Sequence, residues 1–506
     1  MQGRGDPDVV LTDAAALCGE LVKPGSVHAW LAVHRRALFP DAAFADLFPS
    51  GRGRPSEPAD VVATVLVLQA LEGLSDREAA EALRLRIDWK VACGLSLLDE
   101  GIHPTTLTYW RRRLRESDQP RRIFEAVARV IEETGVVKGR RRRALDSTIV
   151  DDAVATQDTV TQLVSLIRRV RKAVPAAAHV DVTGHDYTQP GKPACAWDDA
   201  AARQALVSAL VTDARAVLAA IDLDGLDEEQ AQLVGLLALV AGQDVEPGEG
   251  PGEWRIVRGT ARDRVISTVD PDTRHAHKSR SKQQDGYKAH IAVEPDTGLI
   301  TGCALTPGNT YDGVPATDLL ESETAPVEVL ADSAYGAADT RIALADAGHT
   351  TVIKPVQLQR AVPGGFSTDD FTIDTAAGTV TCPGQHTVTI SPSGTAKFAS
   401  RCTGCPLRDR CTKNKRGRQV KVHPHHDVLF AARRAAEDPD WQTTYTQHRP
   451  MVERSVAWLV AHGHRRVRFR GTDRNSMWLD HRVAAINLRQ LIRHGLTTTN
   501  GTWAIA

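Results

Sequence analysis

The chain has 506 residues, of which 42% are hydrophobic and 25% charged, with a formal net charge of −1. These proportions are ordinary for a soluble protein with room for two or three domains. The longest apolar run, Leu233 to Ala241, is far short of the roughly 20 residues that cross a bilayer, and no signal peptide opens the chain; we expect a cytoplasmic protein without a membrane span.

The first 140 residues read as helical. Pro58-Ala59-Asp60 opens VVATVLVLQALEG, apolar on most sides and therefore a buried helix. Ser75-x-x-Glu78 is a capping box for the next helix, SDREAAEALRL. A third follows His103-Pro104, with Thr105 or Thr106 as its cap. Leu107, Trp110 and Leu114 share one side of it, and Arg111, Arg112, Arg113 and Arg115 surround the rest. Short helices with a basic and aromatic flank fit a helix-turn-helix-like DNA module and equally a plain helical bundle. Basic clusters at 111–115, 138–143, 413–418 and 465–470 are separated from acidic stretches at 222–230 and 244–253. Such separation permits a positive groove on a nearly neutral molecule, and solvated faces would give the same pattern.

After KGRRRR, the stretch from Asp146 to Val150 is short and β-branched, a predicted strand. Asp146 sits within it, where a carboxylate is costly to bury without a cation. Asp151 and Asp152 read as solvated or supporting groups. From Thr156 to about Trp254 the pattern is helical, broken by the turn-rich GHDYTQPGKPACAWDD; no catalytic pattern appears, and it reads as an insertion. Strand signals return in a predicted hairpin, Gly286–Val293 and Leu299–Thr306, around Asp296-Thr297-Gly298. A strand at Val327–Ala331 ends in Asp332, a helix spans Ala337–Ala347, and Thr350–Pro355 is another strand. Strand–helix–strand implies parallel pairing, and the hairpin makes the sheet mixed. Asp332 then lies at the carboxyl end of a strand, where such sheets hold ligands.

Residues 357–426 interrupt this unit. FTIDTAAGTVTCP and HTVTISPSGTAKF suggest two small hairpins. Of eight cysteines, Cys18, Cys93, Cys195 and Cys303 are scattered, whereas Cys382, Cys402, Cys405 and Cys411 cluster here. Clustered cysteines in a reducing compartment more often bind metal than form a disulfide framework. Cys402-x-x-Cys405 has the turn spacing that gives two thiolates to one ion, with Cys411 and Cys382 completing a structural zinc site. His386 or His423 could replace a ligand; unligated thiols in a small β insert are the alternative.

Between Tyr445 and Gly471 a single carboxylate, Glu453, lies among Arg449, Arg454, Arg465, Arg466, Arg468 and Arg470. Val452, Val456, Leu459 and Gly463 recur at helical spacing, which sets Glu453 at the rim of a buried face. A carboxylate there suits a metal ligand beside a phosphate backbone, and a surface helix with Glu–Arg pairs is the plain alternative. Pro450 fits the first turn of a helix capped by Arg449, so Tyr445 need not share the face of Glu453. The Arg449 fork matches two phosphate oxygens, or else pairs with Glu453 or Asp440. Trp458 could stack on an unpaired base or belong to the core. DHRVAAINLRQLIRHG is a closing amphipathic helix. Asp146, Asp332 and Glu453 read as one set: three converging carboxylates cannot all ionise without divalent cations, and a two-metal clamp serves in-line attack at phosphorus.

With ALDSTIVDDA, DGYKAHIAVEPDTGLITG, VLADSAYG, CTGCPLRDRC, HRPMVERSVAWL, INLRQL and the early RPSEPADVV and TTLTYWRRRL, the chain resembles bacterial insertion-sequence transposases of the DDE type, closest to the IS1182-like group of the wider IS4/IS5-like set. The resemblance implies an α/β mixed-sheet RNase H-like catalytic core at 141–506, preceded by an all-α DNA-binding domain at 1–140. A helical insertion is expected at about 157–262 and a cysteine-containing β insertion, zinc-like in its ligands, at about 357–426. It implies metal ligation and catalysis by Asp146, Asp332 and Glu453 with two Mg²⁺ or Mn²⁺ ions, a structural Zn²⁺, and DNA contacts from Arg111, Arg112, Tyr445 and Arg449. In the family signature a Tyr, an Arg and the Glu are followed seven positions on by a basic residue. Here one extra residue separates Tyr445 from Arg449, and the last position is Val460, for which His462 or His464 could substitute. The expected partners are double-stranded DNA with terminal inverted repeats, target DNA and a second copy in a synaptic homodimer, on the bacterial nucleoid. A decayed transposase that only binds DNA, or a structure-selective nuclease on the same core, are the alternatives.

Overall fold

The computed structural model describes residues 1–3, 12–50, 52–189, 191–257, 259–261, 263–276 and 284–506. Pro190, in the turn-rich piece, and the expected insertion boundary at residue 262 lie outside the described residues.

The N-terminal helices include α1 (Val27–Leu38), α2 (Ala59–Glu72), α3 (Asp76–Leu85), α4 (Ile87–Cys93), α5 (Pro104–Arg115) and α6 (Arg122–Thr134). Helix α2 is buried almost all round, as its apolar composition requires. The Ser75–Glu78 capping box forms at the start of α3. At α5 the cap is His103 rather than either threonine: its ring accepts from the Thr105 amide at 3.3 Å, with Pro104 at the first helical position.

A six-stranded mixed sheet forms the centre among the described residues. Its strands are β1 (Arg142–Asp151), β2 (Arg274–His275), β3 (Asp285–Glu294), β4 (Leu299–Pro307), β5 (Glu328–Ala331) and β6 (Thr350–Ile353). The order is β2-β3-β1-β5-β6, with β4 also on β3. β1 runs antiparallel to β3, β3 antiparallel to β4, and β5 parallel to both β1 and β6. Helix α10 (Ala338–Asp346) makes the crossover from β5 to β6. The hairpin and the strand–helix–strand unit thus stand where the periodicity put them.

The excursion between β1 and β2 contains helices α7 (Thr159–Ala173), α8 (Ala200–Ala219) and α9 (Glu228–Gln243), with a core of their own around Leu163, Leu210 and Leu237. The cysteine-bearing segment differs from two hairpins. Strands Thr372–Asp374, Thr379–Thr381 and Thr387–Thr389 form one sheet, while Thr395–Lys397 pairs with Gln419–Lys421, far along the chain. The two halves of the expected second hairpin meet in no ladder, but through the isolated bridge Ile390–Ala396 and the hydrogen bonds between Ser391 and Thr395.

Three more helices complete the chain: α11 (His426–Ala435), α12 (Pro439–Val460) and α13 (Thr472–Arg493). Helix α13 is buried along most of its length. On one side its Asn487 meets β4: the amide oxygen accepts from Ile300 N and the amide nitrogen donates to Ile300 O, both at 2.8 Å. On the other it joins Trp30, Leu66, Trp110 and Val127 in one core through Met477, Ala484, Leu488 and Leu491. The core of the N-terminal helices therefore runs across the expected boundary at residue 140. Arg482 of α13, fully buried, donates to Ala70 O at 2.6 Å, Leu71 O at 2.9 Å and Leu459 O at 3.1 Å, and so ties the carboxyl ends of α2 and α12 together. Burial away from any carboxylate lowers its pKa to about 9. Gly73 closes α2 with φ +74°, and a Cβ there would lie 2.0 Å from His462 O, so this joint needs glycine.

Candidate active site

Strand β1 carries Asp146 midway along its length, with Ile291 of β3 opposite. Strand β5 ends one residue before Asp332, whose carboxylate accepts from Ala334 N at 2.8 Å and caps the short turn Ser333–Tyr335. Helix α12 carries Glu453. All three acids line one open cavity of about 810 Å³, with Arg449, Arg465, Lys288 and Asp312 around them.

Helix α12 starts eleven residues earlier than expected, at Pro439 rather than Pro450. Asp438 caps it by accepting from Asp440 N, Pro439 occupies the first position, and Pro450 lies inside the helix rather than at its start. A proline there leaves the Thr446 carbonyl without its usual N–H partner, and the apolar face on the sheet carries the helix through. Tyr445, Arg449 and Glu453 consequently stand at i, i+4 and i+8 on one face. The expectation that Tyr445 need not share the face of Glu453 is corrected.

Glu453 is exposed and, among the described residues, forms no hydrogen bond or ion pair, so the Glu–Arg surface pairing weighed from the sequence is absent. Arg449 pairs with neither Glu453 nor Asp440. It is 5% exposed, and its Nη2 meets Asp146 Oδ2 at 3.0 Å while Nε and Nη1 have no partner. Burial pushes the Asp146 carboxyl above its ordinary range and nearby Asp332 adds to this, while Arg449 and the Ser147 amide oppose it. Tyr445, half-buried and stacked on Trp441 with ring centroids 5.1 Å apart, is likewise raised by burial. The guanidinium therefore serves as a counter-charge that offsets part of the burial of the Asp146 carboxylate.

Other sequence candidates fall elsewhere. Arg111 is buried in an ion pair with Asp76, donates to Gln69 Oε1 at 3.2 Å and lies 5.1 Å over the Phe469 ring. It is a packing residue here, and Arg112 alone of the two is exposed. Much of the 140–143 basic run is also paired, Arg140 with Asp296, Arg142 with Glu328 and Arg143 with Glu323. Asp152 is not solvated: it is buried, its Oδ2 has no partner, and burial with Asp285 and Asp270 nearby pushes its pKa up to about 6. His464 is buried against Trp478 and pushed down to about 3 by burial, so it cannot supply a cation at Val460. Trp458 packs partly buried on the sheet core beneath Arg489.

Cys382, Cys402, Cys405 and Cys411 line one small cavity of about 20 Å³ with His386; His423 stands apart, against His425. Among the described residues, the one group of three metal-type donors all within 4.8 Å of one another is His28, Glu72 and Asp88. Its cation is already present, since Arg86 pairs with both Glu72 and Asp88. Neither the three acids nor the four thiols reach that closeness. A zinc tetrahedron needs sulfurs nearly 4 Å apart, so the cysteines are gathered but more loosely than in a loaded site.

Sequence reading missed Lys288 and Asp312 in the acid cavity, and named Arg465 only as one of the arginines around Glu453. Lys288 was visible as the one lysine of its strand, with Tyr287 and Ala289 buried on either side. It pairs with Asp312 at 2.7 Å, a contact between strand and loop that no local pattern encodes.

A mixed sheet with one acid within a central strand, one just past a strand end and one on a helix across it is compatible with a DDE transposase. Two family models match the chain: a transposase DDE domain over residues 381–492 and a transposase domain, DUF772, over residues 30–113. The two matches support a DDE insertion-sequence transposase, and the pair of domains is typical of the IS1182 family. Comparisons with curated proteins and with solved structures give no match. The DDE domain implies DNA as substrate and a divalent cation, typically Mg²⁺, as cofactor. No helix among the described residues is long and apolar enough to cross a membrane.

Proposed function

We propose that the protein is a DNA transposase that binds the terminal inverted repeats of its element, cleaves the 3′ ends and joins them to target DNA, with Asp146, Asp332 and Glu453 as the metal-binding acids of an RNase H-like core. The observation that carries this reading is the convergence of the three acids, 307 residues apart at the extremes of the sequence, on one open cavity at the sheet. The strand order supports the core assignment: an antiparallel run β4-β3-β1, then two parallel strands.

The donor set suits a hard cation, being three carboxylates with an accessible cavity between them. Two Mg²⁺ or Mn²⁺ ions held there would lower the pKa of the attacking water or 3′-hydroxyl and stabilise the leaving oxygen. The chain's own residues prepare the site. Arg449 offsets part of the burial that opposes ionisation of Asp146, and the Ala334 amide fixes the Asp332 carboxylate. Lys288 holds Asp312 back from the acids through its ion pair. Tyr445, on the Arg449 face, offers a ring and a hydroxyl to the DNA strand, and exposed Arg112 contributes to end binding by the N-terminal helices. Synapsis of two ends calls for a homodimer. The four gathered cysteines, Cys382, Cys402, Cys405 and Cys411, would hold a structural Zn²⁺. We place the protein on the bacterial nucleoid.

The test is purified protein with linear duplexes ending in the inverted repeats that flank its gene, in Mg²⁺. The expected result is 3′-end cleavage and joining to a second duplex. Cutting without joining identifies a nuclease, and binding without cutting a DNA-binding remnant; either overturns the reading.

A further inference from the structure

The charge balance of the acid cavity sets one cation apart. Four side chains there can carry positive charge: His275, Lys288, Arg449 and Arg465. The first three face carboxylates, His275 meeting Asp285 at 2.7 Å, Lys288 meeting Asp312 at 2.7 Å and Arg449 meeting Asp146 at 3.0 Å. Arg465 meets none among the described residues. Its Nη1 donates to Thr148 Oγ1 at 2.8 Å and Ile149 O at 3.0 Å, which leaves its charge uncompensated and its other N–H groups without a protein partner.

The main chain beneath it is fixed. Asp151 N donates to Arg465 O at 2.8 Å, Val467 N donates to Asp151 O at 2.9 Å, and Arg466 Nε donates to Asp152 O at 2.8 Å. The loop is thereby registered on β1, the strand that carries Asp146. An exposed guanidinium, anchored by one nitrogen and pinned to the catalytic strand, is preorganised for an anion at the mouth of the cavity. Val460, where the family signature has its basic residue, ends α12 as an apolar side chain packed on the sheet core.

We propose that Arg465 is a DNA-positioning residue that binds a non-bridging oxygen of one backbone phosphate in the strand entering the acid cavity. It supplies from the loop the positive charge that the helix does not carry at Val460. This rests on the transposase reading above.

The experiment uses the full chain, Arg465→Gln and Arg465→Lys, and end duplexes carrying a single uncharged methylphosphonate at each position around the cleavage site in turn. For Arg465→Gln the slope of log affinity against log salt should fall by about one, with weaker binding and a raised KM for cleavage. Arg465→Lys should restore the slope. At one position the methylphosphonate should weaken wild-type binding as the substitution does, and add nothing to Arg465→Gln. Additive losses at every position, or an unchanged salt slope, overturn the proposal. Glu453→Gln, run alongside, keeps the two readings apart: if it abolishes cleavage while Arg465→Gln behaves as wild type, the acid site stands and the Arg465 assignment fails.

Discussion

Glu453→Gln separates a metal ligand from a surface residue because the structure gives the side chain nothing else to do. It is exposed and unpaired, and glutamine keeps its length and helix propensity. As a surface residue its loss changes stability by less than about 0.5 kcal/mol, or roughly 1–2 °C in Tm. As one of three metal-binding acids its loss should cost cleavage about a thousandfold or more, which is roughly 4 kcal/mol of transition-state stabilisation. Removing one negative charge about 7 Å from a phosphate in water contributes about 0.6 kcal/mol, so DNA binding should hold or tighten up to about threefold. The assays are thermal denaturation, end-duplex binding in Ca²⁺ and single-turnover cleavage in Mg²⁺. Cleavage within about tenfold of wild type would refute the assignment of Glu453, and so would a fall in Tm of more than about 5 °C accompanying lost activity.

Arg482→Met should remove the donors to the carboxyl ends of α2 and α12 while relieving a buried charge, with a net loss of about 3 kcal/mol in urea unfolding; no loss would show that carbonyl contacts do not hold the two regions together. Glu72 is held down at about 2, hydrogen bonds from His28, Arg86 and Trp89 outweighing burial. A depressed folded pKa stabilises above the unfolded value of 4.5 and the gain is lost as pH falls toward 2, so Glu72→Gln should cost about 2 kcal/mol at pH 6 and little at pH 2.5 in denaturant titrations. If zinc is bound, purified protein should carry about one equivalent per chain, and Cys405→Ser should release it and expose residues 357–426 to protease; metal-free protein with a protected insert removes zinc from the account.

Asp146, Asp332 and their strands were legible because each acid interrupts or ends an apolar, β-branched run, a signal carried by neighbours in sequence. The extent of α12 was not. Pro450 argues locally for a helix start, and only the apolar face on the sheet overrides it. The fate of Arg111 was equally hidden: its basic run predicts exposure, and burial follows from Asp76 on a neighbouring helix and Phe469 from far along the chain. The pairing of Thr395–Lys397 with Gln419–Lys421 belongs to the same class, since a short threonine-rich strand carries no mark of its partner. Cysteine clustering was read correctly in sequence, but spacing says which thiols can meet and not how closely they do.

The core that α13 shares with the N-terminal helices has a consequence for synthesis. Helices α1 to α6 leave the ribosome hundreds of residues before Met477, Ala484, Leu488 and Leu491 exist to cover them. At roughly 5–20 residues per second that interval is on the order of half a minute, during which their apolar faces must be shielded by chaperones or by transient contacts. The N-terminal helices and the helix that bears Glu453 are finished together, when α13 docks and Arg482 reaches both. A nascent chain therefore has no stage at which the N-terminal core is closed and the helix that bears Glu453 is still unmade.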